Sequence, residues 1–360
     1  MKIKETLFLD VHAIQTVPPS NINRDDTGSP KTAQYGGVRR ARISSQSWKK
    51  AIRDYFSKRC EQSKVGVRTL KIVEYIAKEI LKLDDSLTFD EASKLANEVL
   101  NNAGIKTKKD FKTQAILFLG YVQAQKLAKA AIEKISDKAV LKDILNNNPA
   151  IDIALFGRMV ADDPSLNEDA SAQVAHSIST HAVQTEFDFY TANDDLSPED
   201  NAGASMLGNI EFNSSTLYRY ANVAVHELLN QLKDKEAVKN TLKLFIEAFC
   251  NSLPTGKSNT FANQTLPQVL LLTLRNDRPV NMVSAFEEAV KSNQGYVEKS
   301  VEKLTDEYRK TEKFVNKPVF TIYVSVDKFK GLSEIGEEKS SLTELVDEFS
   351  NRLEEMIKEF

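Results

Sequence analysis

The 360-residue chain is 41% hydrophobic and 28% charged, a balance that can bury a sizeable core and excludes wholesale disorder. A net charge of −3 excludes a uniformly basic nucleic-acid coat, and the length suits two domains or one domain with a large insertion. Two widely separated cysteines, Cys60 and Cys250, form neither a disulfide framework nor a zinc pattern, so a reduced, cytoplasmic protein is expected.

The first segment, MKIKETLFLDVHAI, carries Glu5, Asp10 and His12 inside its apolar run and no small-residue cleavage site, so it reads as structure rather than a secretory leader. No apolar stretch approaches the roughly 20 residues that span a bilayer, and no membrane partner is expected. Glu5–Gln15 reads as a buried strand, and Thr16–Gly37, rich in Pro, Asn, Asp and Gly, as a long irregular loop. Val38–Ile43 is a short extended segment. Ser44 or Ser45 can N-cap a helix that buries Trp48, Ile52, Tyr55 and Phe56 and leaves Lys49, Lys50 and Arg53 off that face.

The pattern over Val67–Asn147 is helical, with Leu70, Val73, Ile76, Ala77, Ile80 and Leu81 in one stripe and one long helix predicted over Phe111–Ile135. Short patterns and polar loop fill Ile151–Leu207. Asn209–Val225 predicts a strand pair or bent strand turning near Asn213–Ser215. Helices over Val225–Leu232 and Ala237–Leu253, a strand at Val269–Leu274 and a helix at Met282–Lys291 follow. Lys317–Phe329 alternates as a strand. Ser341 and Glu344 predict a capping box opening an amphipathic final helix. Strands scattered among helices, with one all-helical block, give an α+β core carrying insertions.

Charge is distributed unevenly. Thr27–Arg53 holds seven basic residues (Lys31, Arg39, Arg40, Arg42, Lys49, Lys50, Arg53) and no acid, whereas Met159–Tyr218 holds eleven acids and no Lys or Arg. A phosphate partner feels the local field rather than the net charge. In the basic block, forked Arg donors, Lys point charges, Gly36 and Gly37 for close backbone approach, and a helix start at Ser44–Gln46 are four kinds of phosphate-binding group within about 20 residues. The bland alternative is a solvated charged surface.

Other motifs are weaker. GKS at Gly256–Ser258 lacks the upstream glycine of a P-loop, since Asn251 stands there, and follows a helix; it reads as a polar loop with one phosphate contact from Lys257. His176 and His181 lack metal-ligand spacing, and no cofactor or metal is expected. Asp25 and Asp26 are paired carboxylates that could bind a metal or move a proton, though such pairs more often cap turns. In EFDFYT, the pattern alone favours a strand burying Phe187 and Phe189; the alternative is an aromatic wedge that stacks on bases.

Five segments, in order, resemble the CasC family, the guide-RNA-binding backbone of type I-E CRISPR Cascade complexes. They are NRDDTGSPKTAQYGGVRRARISSQSWKKAIR (Asn23–Arg53), DIALFGRM (Asp152–Met159), AHSISTHAVQTEFDFYTANDDL (Ala175–Leu196), EFNSSTLYRYANV (Glu211–Val223) and LPTGKSNTFANQ (Leu253–Gln264). The resemblance runs from about Leu7 to Val301 and disposes of the P-loop reading. It implies an RNA-recognition-motif (ferredoxin-like) palm at 1–59, 151–183 and 208–360, helical fingers at 60–150 and a thumb loop or hairpin at 184–207.

It also implies that Arg24, Lys31, Arg39, Arg40, Arg42, Ser44, Gln46, Lys49 and Arg53 hold guide phosphates and that Met159 presses on bases. Phe189, Tyr190 and Thr191 would displace a nucleotide at intervals; the family shows Phe where this chain has Tyr190, and an aromatic face is retained. The implied partners are crRNA, target DNA through the crRNA, further copies stacked head to tail, the large, small and RNA-end-capping subunits, and a recruited helicase-nuclease. The implied role is a scaffold without catalysis. Metal-dependent RNA cleavage at Asp25 or Asp26, as in type III backbones, and a stand-alone RNA-binding module are the competing readings.

Overall fold

The computed structural model describes residues 6–191 and 207–358. Its strands are β1 (Phe8–Ser20), β2 (Thr32–Tyr35), β3 (Val38–Ile43), β4 (Gly66–Thr69), β5 (Leu117–Gly120), β6 (Ala172–Val174), β7 (Ser177–Ser179), β8 (Glu186–Thr191), β9 (Leu207–Ala224), β10 (Val269–Arg275), β11 (Phe320–Ser325) and β12 (Glu337–Glu338). Its helices are α1 (Ser45–Arg59), α2 (Ile72–Leu83), α3 (Phe89–Asn102), α4 (Tyr121–Ile132), α5 (Lys138–Asn146), α6 (Ile151–Phe156), α7 (Val225–Leu232), α8 (Lys235–Asn251), α9 (Ser258–Phe261), α10 (Val297–Thr311), α11 (Leu332–Ile335) and α12 (Leu342–Ile357).

The fold is α+β. One large sheet runs β12-β11-β10-β1-β9-β7-β3-β2, with β6 and β8 also paired to β9. Within it, β10, β1, β9 and β7 are mutually antiparallel neighbours. Both faces of the sheet are covered. Leu9, Val11, Ala13, Leu217, Ala221, Leu270 and Leu272 point into a core shared with α1, α8 and α12. Ile14, Tyr218, Val269 and Leu271 point the other way, under α10. That two-sided burial explains why VLLLTL is a continuous apolar run rather than an alternating one.

A second core, from Ile72 to Leu166, belongs to α2–α5 and the two-stranded β4–β5 sheet. It extends past the predicted end of the helical block at 150, taking in Val160 and Leu166.

Several predicted elements differ. The loop expected over Thr16–Gly37 is partly strand: β1 continues through Pro18 and Pro19 to Ser20, where the register with β9 shifts. A bulge tolerates the missing proline donors. Gly36 and Gly37, both at positive φ, turn β2 into β3 as a tight hairpin. The long helix over Phe111–Ile135 is interrupted, because β5 precedes α4 and Phe111 has φ +60. Asn209–Val225 is not a strand pair: β9 is one continuous 18-residue strand, and the irregularity expected near Asn213–Ser215 is the register shift against β1 that falls between Ser215 and Asn213. Met282–Phe286 is only a short 3₁₀ turn rather than a helix to Lys291, and the helix of this region is α10, further along the chain. At α12, Ser341 caps Glu344 N–H, but the Glu344 carboxylate accepts from Ser340 N–H, so the box is half closed. Of the expected thumb, residues 192–206 lie outside the described residues.

Candidate nucleic-acid interface

The basic block folds around the start of α1. Ser44 caps the helix by accepting from Ser47 N–H, and its own N–H donates to Asn23 Oδ1 at 2.8 Å, which ties the helix start to the preceding loop. That loop closes on itself: Lys31 N–H donates to Asn23 O, and Asn21 Nδ2 donates to Gly28 O. Asp25 Oδ1 accepts from Thr27 Oγ1, Thr27 N–H and Ser29 N–H at 2.7–3.0 Å. The Thr27 hydroxyl and these amides hold its carboxyl below the usual range. Asp25 therefore caps a turn, and among the described residues no group of three or more His, Cys, Asp or Glu gathers as a metal cluster.

From α1, Gln46, Lys49, Lys50 and Arg53 project as one helical stripe (i, i+3, i+4, i+7). They line a groove of about 690 Å³ with Arg68, Ile116, Phe118, Phe156 and Met159. Met159 stands 81% exposed at this groove. On the other side of α1, a second groove of about 640 Å³ is lined by Arg24, Ser47, Lys50, Lys58 and the Asn251–Gly256 loop. Lys50 borders both. Lys49 lies 5.7 Å from the centre of the Phe156 ring, and burial pushes its amine below the ordinary range.

The structure divides the predicted arginines. Arg24 and Arg39 are exposed. Arg40 is fully buried: Nη1 donates to Ser179 O at 3.0 Å, Nη2 to Phe286 O at 2.8 Å and Nε to Tyr35 O at 3.2 Å. Alternation along β3 decides this, since Arg39 and Arg40 point to opposite faces. Arg40 is accordingly a structural cross-link and is not on the exposed face. Arg42 is half-buried; Nη1 donates to His176 Nδ1 at 3.1 Å and Nε to Thr32 O. Ser44 is buried in its capping role. Lys257 is half-buried at φ +52 and lines neither groove, while neighbouring Gly256, which lines the second, backs so closely on Ile22 O that a Cβ there would collide.

His181 is a structural group: Nδ1 donates to Ala182 O, Nε2 accepts from Thr216 N–H, and the ring stacks on Tyr296 at 3.7 Å. Just beyond it, β8 pairs with the first residues of β9. The pattern expectation of a burying strand is overturned, since every residue of β8 is exposed, with Phe187 at 63% and Phe189 at 66%. Neither core reaches this ribbon. Tyr190 lies across Gly208, where any Cβ would overlap its ring. Phe189, Tyr190 and Thr191 thus stand on a projecting two-stranded arm.

Sequence reasoning did not single out Arg68 or Lys58, because neither sits in the basic block; both reach the grooves only through the fold.

No curated protein matches the chain. Solved structures do. A chain of "CRISPR RNA-guided surveillance complex, pre-nicking" is 32% identical with a TM-score of 0.86, covering 96% of this chain and 99% of that one. A chain of "CRISPR RNA-guided surveillance complex" is 29% identical with a TM-score of 0.65 over the same shares. The model of the CT1975-like protein family matches residues 9–348, and the chain belongs to that family.

Proposed function

We propose that this chain is the backbone subunit of a type I-E CRISPR surveillance complex, coating crRNA without catalysing a reaction. The observation that carries the reading is the groove on α1: a Gln46–Lys49–Lys50–Arg53 stripe beside an exposed Met159, in a chain similar over 96% of its length to one from an RNA-guided surveillance complex. Lys and Arg on that stripe bind phosphates of any guide alike. Bases remain free to pair with target DNA, and pairing supplies the specificity, as in other RNA-guided effectors.

The strand order supports an RNA-recognition-motif palm. Taking β1, β7, β9 and β10 in chain order, with α1 after the first and α8 before the last, the sheet order is fourth, first, third, second. The helical body would be the fingers and the β8–β9 arm the thumb. Head-to-tail stacking along the guide is a heterologous, non-closing arrangement, with its length set by the RNA and by capping subunits. Large and small subunits, and a helicase-nuclease recruited on target binding, complete the proposed assembly.

Cleavage at Asp25 fits less well, because its Oδ1 already accepts from three donors of its own turn. Copurification of the chain with the products of neighbouring genes, followed by sequencing of bound RNA, tests the reading. Discrete repeat–spacer RNAs in a large particle are expected. Heterogeneous RNA, or none, with a monomeric protein would overturn it and leave a stand-alone RNA-binding module.

A further inference from the structure

Arg53 belongs to two structures at once. It lines the α1 groove, yet its guanidinium also lies 4.4 Å from the centre of the Phe118 ring on β5. Its Nε donates to Asp152 Oδ2 at 3.0 Å and its Nη2 to Gly66 O at 3.2 Å. Asp152, on α6, is buried, and its Oδ1 accepts from Gly66 N–H at 2.8 Å. Gly66 is therefore clamped on both backbone groups by an ion pair. It opens β4, the strand by which the chain enters the helical body, and pairs with Gly120 at the end of β5. A side chain at Gly66 would meet the Phe118 ring. The remaining nitrogen of the fork, Nη1, makes no hydrogen bond within the described residues and is not buried.

A planar fork held at two of its nitrogens presents the third in a fixed direction, at little further entropic cost when a phosphate arrives. We propose that Asp152 is a positioning residue for the guide: it sets the Arg53 fork so that Nη1 receives an RNA phosphate, and the shared clamp on Gly66 couples guide binding to the seating of the helical body. The inference rests on the guide-RNA reading above. Coupling of this kind is reciprocal, so RNA that steadies the clamp is itself bound more tightly by a steady clamp.

The test uses the full chain, a labelled single-stranded RNA across a salt series, and hydrogen exchange over Gly66–Thr69 and Leu117–Gly120. In the wild type, RNA slows exchange of this β4–β5 ladder. In Asp152→Asn, affinity falls about tenfold, the scale of one charge-assisted hydrogen bond, and the exchange response disappears. Arg53→Lys keeps the charge, and so the salt slope, but loses the exchange response because an ammonium cannot span both partners. Lys49→Ala lowers affinity and flattens the salt slope by about 0.7 per lost phosphate, with the exchange response intact.

A folded Asp152→Asn with wild-type affinity, or a wild type whose ladder ignores bound RNA, overturns the inference while leaving the guide-RNA reading standing. If Asp152→Asn does not fold, an intact exchange response in Arg53→Lys overturns it. A wild type that binds no RNA overturns both.

Discussion

The guanidinium of Arg219 lies 3.7 Å from the centre of the Trp48 ring and 4.3 Å from that of Phe249. Arg219 is buried on β9, and Trp48 is the inward anchor of α1, so this stack fastens the groove-bearing helix to the sheet. Nη1 donates to Gln15 Oε1 at 2.5 Å and Nη2 to Phe249 O at 2.6 Å. No carboxylate pairs with it among the described residues, and burial pushes the guanidinium down to about 9. Arg219→Met would orphan two buried acceptors. We expect a loss of about 2–4 kcal/mol, read as a shift in urea midpoint at unchanged slope.

Arg40 and Lys49 lie nine residues apart in the same basic block and should fail differently. Arg40→Ala strips donors from the Ser179, Phe286 and Tyr35 carbonyls and should cost about 3 kcal/mol or more in denaturant unfolding. Lys49→Ala, which removes a half-buried stem beside Phe156, should cost no more than about 1 kcal/mol of stability and weaken RNA binding, most visibly at low salt.

Gly36 holds φ +59, and a Cβ there would collide with Glu287 O. Gly37, next to it at φ +77, faces open space. Gly37→Ala should cost about 1 kcal/mol from the left-handed backbone alone. Gly36→Ala should cost clearly more, because the hairpin must also leave its neighbour. Paired chemical denaturation of the two variants measures the difference.

Under α10, Asp10 and His12 titrate in opposite senses. Burial raises the Asp10 carboxyl to about 7, against hydrogen bonds from Tyr220 and Val280 and the charge of Arg275. The folded state then holds a proton that the unfolded chain has released, so this group's contribution falls as pH rises from about 4 to about 7. Burial and Arg275 hold His12 down to about 3. The unfolded chain binds the extra proton there, so that contribution grows as pH rises from about 3 to 6.5. The two should nearly cancel in the wild type between pH 4 and 6.5. Asp10→Asn removes one of them, and its stability should climb with pH by up to about 1.4 kcal/mol per unit, as urea midpoints would show. A flat profile in the variant would sink this account.

Phe189 is 66% exposed on the β8 arm. Phe189→Ala should leave the unfolding free energy within about 0.5 kcal/mol. If the arm acts on the guide, the variant should lower the yield of assembled particle on copurification, a separation of effects that a core aromatic could not show.

Much of the local structure was legible in the sequence because it depends on neighbours along the chain. A cap at Ser44 or Ser45, a buried face of Trp48, Ile52, Tyr55 and Phe56 (of which Tyr55 is only half-buried), a strand at Val269–Leu274 and the stripe of the final helix all follow from local hydrogen bonding and period. The density of Lys and Arg between Lys31 and Arg53 was equally plain. Tertiary structure decided which of those charges face outward. Arg40 turns inward and Arg39 outward because β3 pairs with β2 and β7 in one register, and a period of two sends adjacent residues to opposite faces. Arg53 meets Asp152, 99 positions away, and Arg68 reaches the α1 groove from β4. Such partners are chosen by long-range packing, and no pattern along the chain records which buried carboxylate will lie beside which guanidinium.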